Sequence, residues 1–408
     1  MGPSSNLDRE KLEGPRLRFI YDLAGALHAY GTPSHRLEAL LGAVAKELGV
    51  QSEFFATPTA IFCAFGEVPD QKMGLIAPES SDLDLGRLAD LDVVAQDVAG
   101  GDTSVEEGSR RVKAILDEPG GYAMPLRLLG HALLAGAAAL LLGGGFAEAG
   151  AALVAGTLVG VLEISARRDS GLAGVLLPLG ALLASLSGLV AALISPVLST
   201  AVVGIAGIIY LLPGLTMTVA MKELATGHLV SGTARLAKAL AAFMLLGVGA
   251  LVGGAIASLV DVQNTSAEAL SRGWLFAAML ASIAPLLVLL NVRKRDVLFV
   301  TCVGIAGYGA SELARFGGPI LAAGVGTFVI GLMGNAWARL RNRPAAVATT
   351  PGILLLVPGS VGVRAISAFL SDDVLAAVTL SFHAFLTAVA LVSGLLVANL
   401  SLPPRKAL

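Results

Sequence analysis

The sequence has 408 residues, of which 55% are hydrophobic and only 14% charged, whereas soluble globular chains usually carry roughly 25% charged residues. Residues 1–120 hold 20 acidic and 11 basic residues, and residues 121–408 hold 10 acidic and 17 basic ones. This division excludes an ordinary soluble protein and predicts a membrane protein with an acidic, hydrophilic N-terminal block. The acidic block disfavours nucleic-acid binding. Two distant cysteines, Cys63 and Cys302, disfavour a disulfide framework or a zinc site.

The first predicted elements are two helices within residues 15–48, which are interrupted at Gly31. Thr32 is the expected N-cap of the second helix, and Pro33 is expected at its first helical position. Gly49 should end this helix, because glycine readily adopts the left-handed conformation that follows a helix C-terminus.

Alternating apolar residues then predict two short strands within residues 50–66, around Thr57-Pro58. A third strand is expected at residues 71–78, and amphipathic helices are expected at residues 85–101 and 104–118. These elements predict a small soluble α/β domain spanning residues 1–120, which we expect to remain in the cytoplasm because residues 1–18 are polar and contain no secretory signal.

From Met124 onward, apolar runs are long enough to cross a bilayer, which takes roughly 20 residues each. They are apolar on every face, unlike helices of a soluble protein. The predicted spans are 124–143, 146–166, 171–194, 197–221, 236–260, 273–291, 297–313, 317–337, 347–369 and 374–400. The sequence therefore predicts an all-α membrane region of about ten helices.

The loop charges predict the orientation of these spans. With the N-terminus inside, fourteen of the seventeen Lys and Arg residues after residue 120 fall at cytoplasmic ends. Positive charge is retained preferentially on the cytoplasmic side of membrane proteins. We therefore expect an inner-membrane protein with both termini in the cytoplasm.

The membrane region also contains an internal repeat. The segments GIIYLLPGLTM at 207–217 and GILLLVPGSVG at 352–362 align with a shift of 145 residues. Each half, residues 121–265 and residues 266–408, then has five spans. An odd number of spans places the second half upside down, which predicts two inverted five-helix repeats.

Four segments taken together are similar to a known family: YGTPSHRLE (30–38), FATPTAIFCAFG (55–66), LLPGLTMTVAMKELATGHLVSGTARL (211–236) and LLLVPGSVGVR (354–364). They resemble the bacterial threonine/serine exporter family, some relatives of which divide the same regions between two subunits. The resemblance covers nearly the whole chain and implies export of small amino acids driven by the proton motive force.

The paired Pro-Gly breaks are the predicted substrate site, because broken helices at corresponding places in inverted repeats often surround a central cavity. The alternative is that each proline merely kinks a packed helix. Polar residues after each break could bind substrate, cap freed carbonyls or, for Arg364, anchor the outer interface. The substrate-binding candidates are Pro213, Gly214, Thr216, Thr218, Pro358, Gly359, Ser360 and Arg364.

Glu163, Glu312 and His383 are the candidates for carrying a coupling proton. An acid within a membrane span is costly unless it is paired or protonated, and histidine titrates near neutral pH. The alternatives are interfacial pairing of the two acids with Arg167 and Arg315, and a packed neutral histidine at position 383.

In the N-terminal domain, His35, Arg36 and Glu38 form a polar cluster at a helix start. Without a nucleophile motif or metal-ligand spacing, an ion-pair cluster or docking onto the membrane region is favoured over catalysis.

The sequence thus predicts a secondary exporter that is not an enzyme, needs no cofactor or metal, takes a small molecule and protons as partners, and sits in the lipid bilayer, where it can form a homo-oligomer. The alternatives are a dicarboxylate exporter and, from another class, a membrane-anchored hydrolase that uses the soluble domain.

Overall fold

The computed structural model describes residues 4–77, 83–118, 121–195, 198–260, 270–341, 343–356 and 373–404, with a few positions between 361 and 368. Within these ranges the chain forms an N-terminal α/β domain followed by a long helical region. Pro358, Gly359 and Ser360 lie outside the described residues.

The N-terminal domain contains four helices and one sheet, as the sequence predicts. Its elements are α1 (Ser4–Ala29), α2 (Ser34–Glu47), β1 (Ser52–Ala56), β2 (Ile61–Phe65), β3 (Lys72–Ile76), α3 (Leu85–Ala99) and α4 (Val105–Asp117). The one substantial difference in extent is at the start, where α1 begins eleven residues earlier than predicted.

The start of α2 corrects one prediction. Pro33, not Thr32, is the N-cap residue, with φ −60° and ψ 145°, and its own side chain makes no capping hydrogen bond. Because the ψ of Pro33 is extended, Pro33 lies outside the helix, and its carbonyl accepts from the Arg36 and Leu37 N–H groups, so the helix starts one residue later than predicted. The predicted end is confirmed, since Gly49 follows the C-cap Leu48 with a φ of +70°.

The sheet is antiparallel with strand order β1-β2-β3. Its inner face buries Ile61, Cys63 and Phe65 against α1 and α2, which contribute Phe19 and Leu41 to the same core. Burial raises the pKa of the Cys63 thiol to about 11, so this cysteine remains protonated at neutral pH.

Each predicted span overlaps a helix of the structure, but the fourth is divided between two helices and the helix at the fifth begins seven residues earlier than predicted. Its helices are α5 (Met124–Leu141), α6 (Phe146–Ala166), α7 (Ser170–Ile194), α8 (Thr200–Gly207), α9 (Gly214–Ala225), α10 (Leu229–Ala257), α11 (Arg272–Leu289), α12 (Lys294–Leu313), α13 (Gly318–Arg341), α14 (Ala345–Leu356) and α15 (Val374–Ser401).

Among the described residues, seven helices are long and apolar enough to cross a membrane, and an eighth candidate is the bent pair formed by α8 and α9. The apolar parts of α12 and α14 are shorter, at Val297–Leu313 and Ala345–Leu356. By length and composition, these helices fit a membrane region with several spans. Ten spans and two inverted five-helix repeats stay predictions.

The two predicted halves pack against one another. Helix α5 lies against α6 and also against α11, and α9 contacts α14 and α15. The broken fourth span thus lies where both halves meet, and this position makes it a candidate for a functional element.

Candidate functional site

The fourth predicted span is broken where the sequence places its Pro-Gly pair. Helix α8 ends at Gly207, a single 3-10 turn covers Ile209–Leu211, and α9 starts at Gly214 with Pro213 as its N-cap. The helix axis bends by 52° across this break. Proline has no backbone N–H to continue a helical ladder, which explains why the helix restarts there.

The break directs Tyr210 towards α5. Its ring stands edge-on to the His131 ring with the centroids 4.9 Å apart. Its hydroxyl donates to the carbonyl of Leu289, at the end of α11, over 3.4 Å. One residue of the broken span thereby contacts both predicted halves.

His131 belongs to a buried group that we call the α5–α6 polar cluster: Arg127, His131, Glu163 and Arg167. The Arg167 Nε and Nη2 donate to Glu163 Oε1 over 2.8 and 2.5 Å. The Arg127 Nη2 lies 3.8 Å from Glu163 Oε1, and the His131 Nε2 lies 3.6 Å from Glu163 Oε2. Paired in this way, a carboxylate can stay charged within a membrane helix.

Three atoms of this cluster are buried and lack a hydrogen-bond partner among the described residues: Arg127 Nη2, His131 Nε2 and Glu163 Oε2. A buried polar atom without a partner usually marks a bound molecule, an ordered water or a functional role. The cluster is therefore charged and tightly packed but not fully satisfied.

Two glycines of α6 allow α5 to approach so closely. A Cβ on Gly156 would lie 2.6 Å from the carbonyl oxygen of His131, and one on Gly160 would lie 2.8 Å from the His131 Cγ. Small residues four apart let two membrane helices pack backbone to backbone. The His131 ring is thus held against α6, one turn from Glu163.

A cavity of about 300 Å³ opens where this cluster meets the N-terminal domain. We call it the boundary pocket, and its principal polar lining is Tyr30, Asp84 and Arg87 from the N-terminal domain and Arg127, Arg167 and Arg168 from α5 and the end of α6. Arg87 lies over the Tyr30 ring, 5.1 Å from its centroid, and donates to the Tyr30 hydroxyl over 2.5 Å. Burial raises the pKa of the Asp84 carboxyl above its usual range.

Asn291, which follows α11, also lines this pocket and joins its two sides. Its side-chain Nδ2 donates to Asp84 Oδ2 over 3.0 Å, and its side-chain Oδ1 accepts from Arg127 Nη1 over 3.4 Å. Its φ is +53°, a left-handed conformation that asparagine tolerates better than most residues. Gly121 provides the space, since a Cβ there would lie 2.3 Å from Asn291 Oδ1.

The N-terminal domain docks on the α11–α12 connection beside the pocket. Arg293 pairs with Asp90 over 2.7 Å and with Glu118 over 2.8 Å, and Arg295 pairs with Asp90 over 2.5 Å. The Leu85 N–H donates to the carbonyl of Leu290 over 3.1 Å. The hydrogen bond from Arg293 lowers the pKa of the Glu118 carboxyl, so this contact stays ionised.

A second contact joins the N-terminal domain to α9 and α10. The Ser34 N–H donates over 3.0 Å to Oε1 of Glu223, whose side chain is fully buried and also pairs with Arg235 over 3.0 Å. The Ser231 hydroxyl donates to the carbonyl of Ala56 over 2.8 Å. The domain therefore contacts helices of both predicted halves.

Two of the three residues predicted for docking contact this region. Glu38 accepts from the Ala56 N–H over 2.7 Å and lies 3.4 Å from His228 Nε2. The His35 ring lies 5.7 Å from the His228 ring. Arg36 instead pairs with Asp92 of its own domain over 3.7 Å. Burial first, and then Lys222 and other nearby cations, lowers the pKa of His35 to about 3.

The predicted substrate-binding residues that the structure describes do not lie together in one site. Thr218 is buried and donates to the carbonyl of Gly214 over 3.0 Å, while Thr216 is half-buried. Arg364 is exposed and donates to the carbonyl of Leu142 over 3.4 Å. Thus the Thr218 hydroxyl is bonded within its own helix, and Arg364 lies away from the α5–α6 polar cluster.

The three proton candidates also differ in their surroundings. Glu163 is 5% exposed, but the Glu312 side chain is 37% exposed and pairs with Arg315 over 2.9 Å. His383 is exposed on α15. Glu163 is the candidate whose surroundings combine burial with several charged neighbours.

Comparison with known proteins places the chain in a family. A family model described as "Putative threonine/serine exporter" matches residues 18–257, and a second one, described as "Threonine/Serine exporter, ThrE", matches residues 274–401. No solved structure matches.

Curated relatives are distant. An uncharacterised protein of Schizosaccharomyces pombe is 25% identical over 377 residues, which is 86% of this chain and 48% of that protein. "Pheromone-regulated membrane protein 10" of Eremothecium gossypii is 27% identical over 359 residues, 85% of this chain and 48% of that protein.

"Probable threonine/serine exporter" of Mycobacterium tuberculosis is 28% identical over 346 residues, 79% of this chain and 64% of that protein. The chain spans less than half the length of the two fungal relatives. With the two family models together matching most of its length, this chain belongs to the threonine/serine exporter family.

Proposed function

We propose that this protein exports small polar amino acids, with threonine and serine as the first candidates, in exchange for protons and by alternating access. The family supports amino-acid export. The observation that carries the proposal is Glu163, a buried acid with three charged or titratable neighbours, adjoining the broken fourth span through His131 and Tyr210.

The bent α8–α9 pair supports alternating access. Backbone groups freed at a helix break within a membrane must be satisfied by protein or by a wet cavity. A break that touches helices of both predicted halves can change its contacts when one half moves against the other. The Pro213 break is therefore proposed as part of the transport path.

We also propose that the end of the membrane region that meets the N-terminal domain faces the cytoplasm, with both termini on that side of an inner membrane. Arg127, Arg167 and Arg168 line the boundary pocket, and Arg293 pairs with Asp90 of the N-terminal domain. Retention of positive charge on the cytoplasmic side favours this orientation. The boundary pocket then opens towards the cytoplasm.

Dicarboxylate export is a second candidate, and one observation favours it. Four arginines line the boundary pocket, and an arginine fork is suited to a carboxylate. Hydrolase activity has less support, because Arg36 and Glu38 are engaged with Asp92, Ala56 and His228.

Proteoliposomes test the proposal. Vesicles loaded with threonine should exchange it for external labelled threonine at equal pH, and an imposed pH gradient should drive net efflux. A panel containing serine, larger amino acids and succinate identifies the substrate class.

Glu163→Gln should abolish gradient-driven efflux but keep exchange at equal pH, because the variant loses the group that binds the proton. Asp169→Asn is the matched control, because it removes a carboxylate just beyond the C-terminal end of α6, the helix that carries Glu163. Asp169 is the N-cap of α7, and asparagine can still cap that helix. Glu312→Gln tests the second acid. A pH-gradient response in Glu163→Gln equal to that of Asp169→Asn would disprove coupling through Glu163.

A further inference from the structure

The boundary pocket is lined by more guanidinium groups than acidic groups, although Arg87 lies near Asp84 and both Arg127 and Arg167 lie near Glu163. Four arginines line it, with Asp84 as the one acidic residue among the lining side chains of the described chain. Asp84 already accepts from the Arg87 N–H over 2.9 Å and from Asn291 over 3.0 Å. The pocket is therefore positively charged and suits an anionic group.

Arg127 is the arginine best placed to bind an anionic group in this pocket. It is 7% exposed, it lines the pocket, and its Nη2 has no hydrogen-bond partner among the described residues. Its nearest acid, Glu163, lies 3.8 Å away, beyond hydrogen-bonding distance, and is bound directly by Arg167 instead. A buried guanidinium with a free N–H gains more from a carboxylate than an exposed one does, because water screens it less.

The wall opposite Arg127 comes from the N-terminal domain. Arg87, at the start of α3, is fixed by Tyr30 on one side and by the carbonyl of Glu118 on the other. The Leu85–Leu290 hydrogen bond and the Asn291 bridge hold α3 in place over the pocket. Without this domain the cavity would be an open surface of α5 and α6.

We propose that the boundary pocket is a binding site for the carboxylate of a small molecule, an α-amino acid or a dicarboxylate, with Arg127 as its anchor and Arg87 as its second wall. The site rests on the proposed function in that its ligand is the exported molecule. It assigns the N-terminal domain a direct part in ligand binding, through Arg87.

Binding to the native full-length protein in lipid nanodiscs is the first test. Radiolabelled L-threonine and succinate are the probes, and threoninol, which carries an alcohol in place of the carboxylate, is the competitor. Loss of a charge-assisted contact is expected to weaken threoninol by about tenfold to 100-fold relative to threonine. Saturable threonine binding identifies an amino acid as the source of the carboxylate, and saturable succinate binding identifies a dicarboxylate. Binding of neither probe, or equal binding of threonine and threoninol, would overturn the site.

Variants locate the site. Arg127→Lys keeps the charge but loses the planar fork, and it should weaken binding about tenfold or more. Arg110→Lys makes the same change at a side chain that is 77% exposed on α4, and it should bind as the native protein does. Arg87→Lys should weaken binding about threefold or more if the N-terminal domain forms a wall.

The outcomes separate this site from the proposed function. Unchanged affinity in Arg127→Lys would overturn the site, yet threonine exchange in the same protein would leave the export function standing. Unchanged affinity in Arg87→Lys alone would overturn the part given to the N-terminal domain. Carboxylate binding that depends on Arg127, without exchange of any amino acid, would support the site and refute amino-acid export. If Arg127→Lys fails to fold, the comparison of threonine with threoninol on the native protein still decides whether the pocket binds a carboxylate.

Discussion

Replacing Gly160 with alanine tests whether the α5–α6 polar cluster depends on close helix packing. The new Cβ would lie 2.8 Å from the His131 Cγ and 2.9 Å from its Cβ and Cδ2. These distances are too short for real carbon contacts, so either the histidine or the helix must move. Overpacking of this kind costs about 1–3 kcal/mol.

Gly150→Ala is the matched control within α6, because its added Cβ would have no atom within 4 Å. Both variants gain the same helix propensity, about 0.5–1 kcal/mol. The difference in stability between them therefore isolates the clash with His131, and we expect Gly160→Ala to be the less stable by about 1–3 kcal/mol.

The assay compares thermal unfolding of the two variants in the same detergent, and then their transport at equal pH and under a pH gradient. We expect Gly160→Ala to unfold at the lower temperature and to lose gradient-driven efflux. If Gly160→Ala unfolds at or above the temperature of Gly150→Ala, His131 is not packed against α6 as described, and the account of the cluster is wrong.

Two further perturbations probe the contacts of the N-terminal domain. Because the His35 pKa is about 3 in the folded protein and about 6.5 in the unfolded chain, stability should fall as the pH drops below 6.5, by up to about 1.4 kcal/mol per unit. Thermal unfolding at pH 7.5 and 5 should therefore show a smaller loss in His35→Gln than in the native protein, and an equal loss would contradict the buried, neutral state of His35. Ser231→Ala removes the donor to the buried carbonyl of Ala56, and it should cost about 1–3 kcal/mol and speed amide hydrogen exchange in β1. Thr233→Ala, whose hydroxyl bonds only within α10, should do neither, and equal exchange in both variants would contradict this docking contact.

The secondary structure was predictable because its signals are local. Strand alternation around Thr57-Pro58 and the apolar runs after Met124 depend on neighbouring residues, and the structure confirms the strands, the helices and the break at Pro213. Thr32 was misassigned because Pro33 has an extended ψ and takes the N-cap position itself, which moves the start of the helix to Ser34.

The partners within the site were less predictable. Glu163 stands out in the sequence as an acid within an apolar run, but nothing local connects it with Arg127 and His131 on another helix. Asp84 and Asn291 are separated by 207 positions, and each is an ordinary polar residue in its own segment. A turn signal exists at Asn291, where asparagine follows an apolar helix and precedes three basic residues, but it does not indicate what the side chain contacts.

The contacts of Arg293 have a consequence for how such a chain can be divided. Asp90 and Glu118 precede the first membrane helix, whereas Arg293 follows α11 in the second predicted half. If the polypeptide were cut between α10 and α11, these ion pairs would join two separately synthesised chains. The N-terminal domain would then hold the two chains together. A pair of fragments lacking Asp90 and Glu118 should associate less tightly than a pair that retains them.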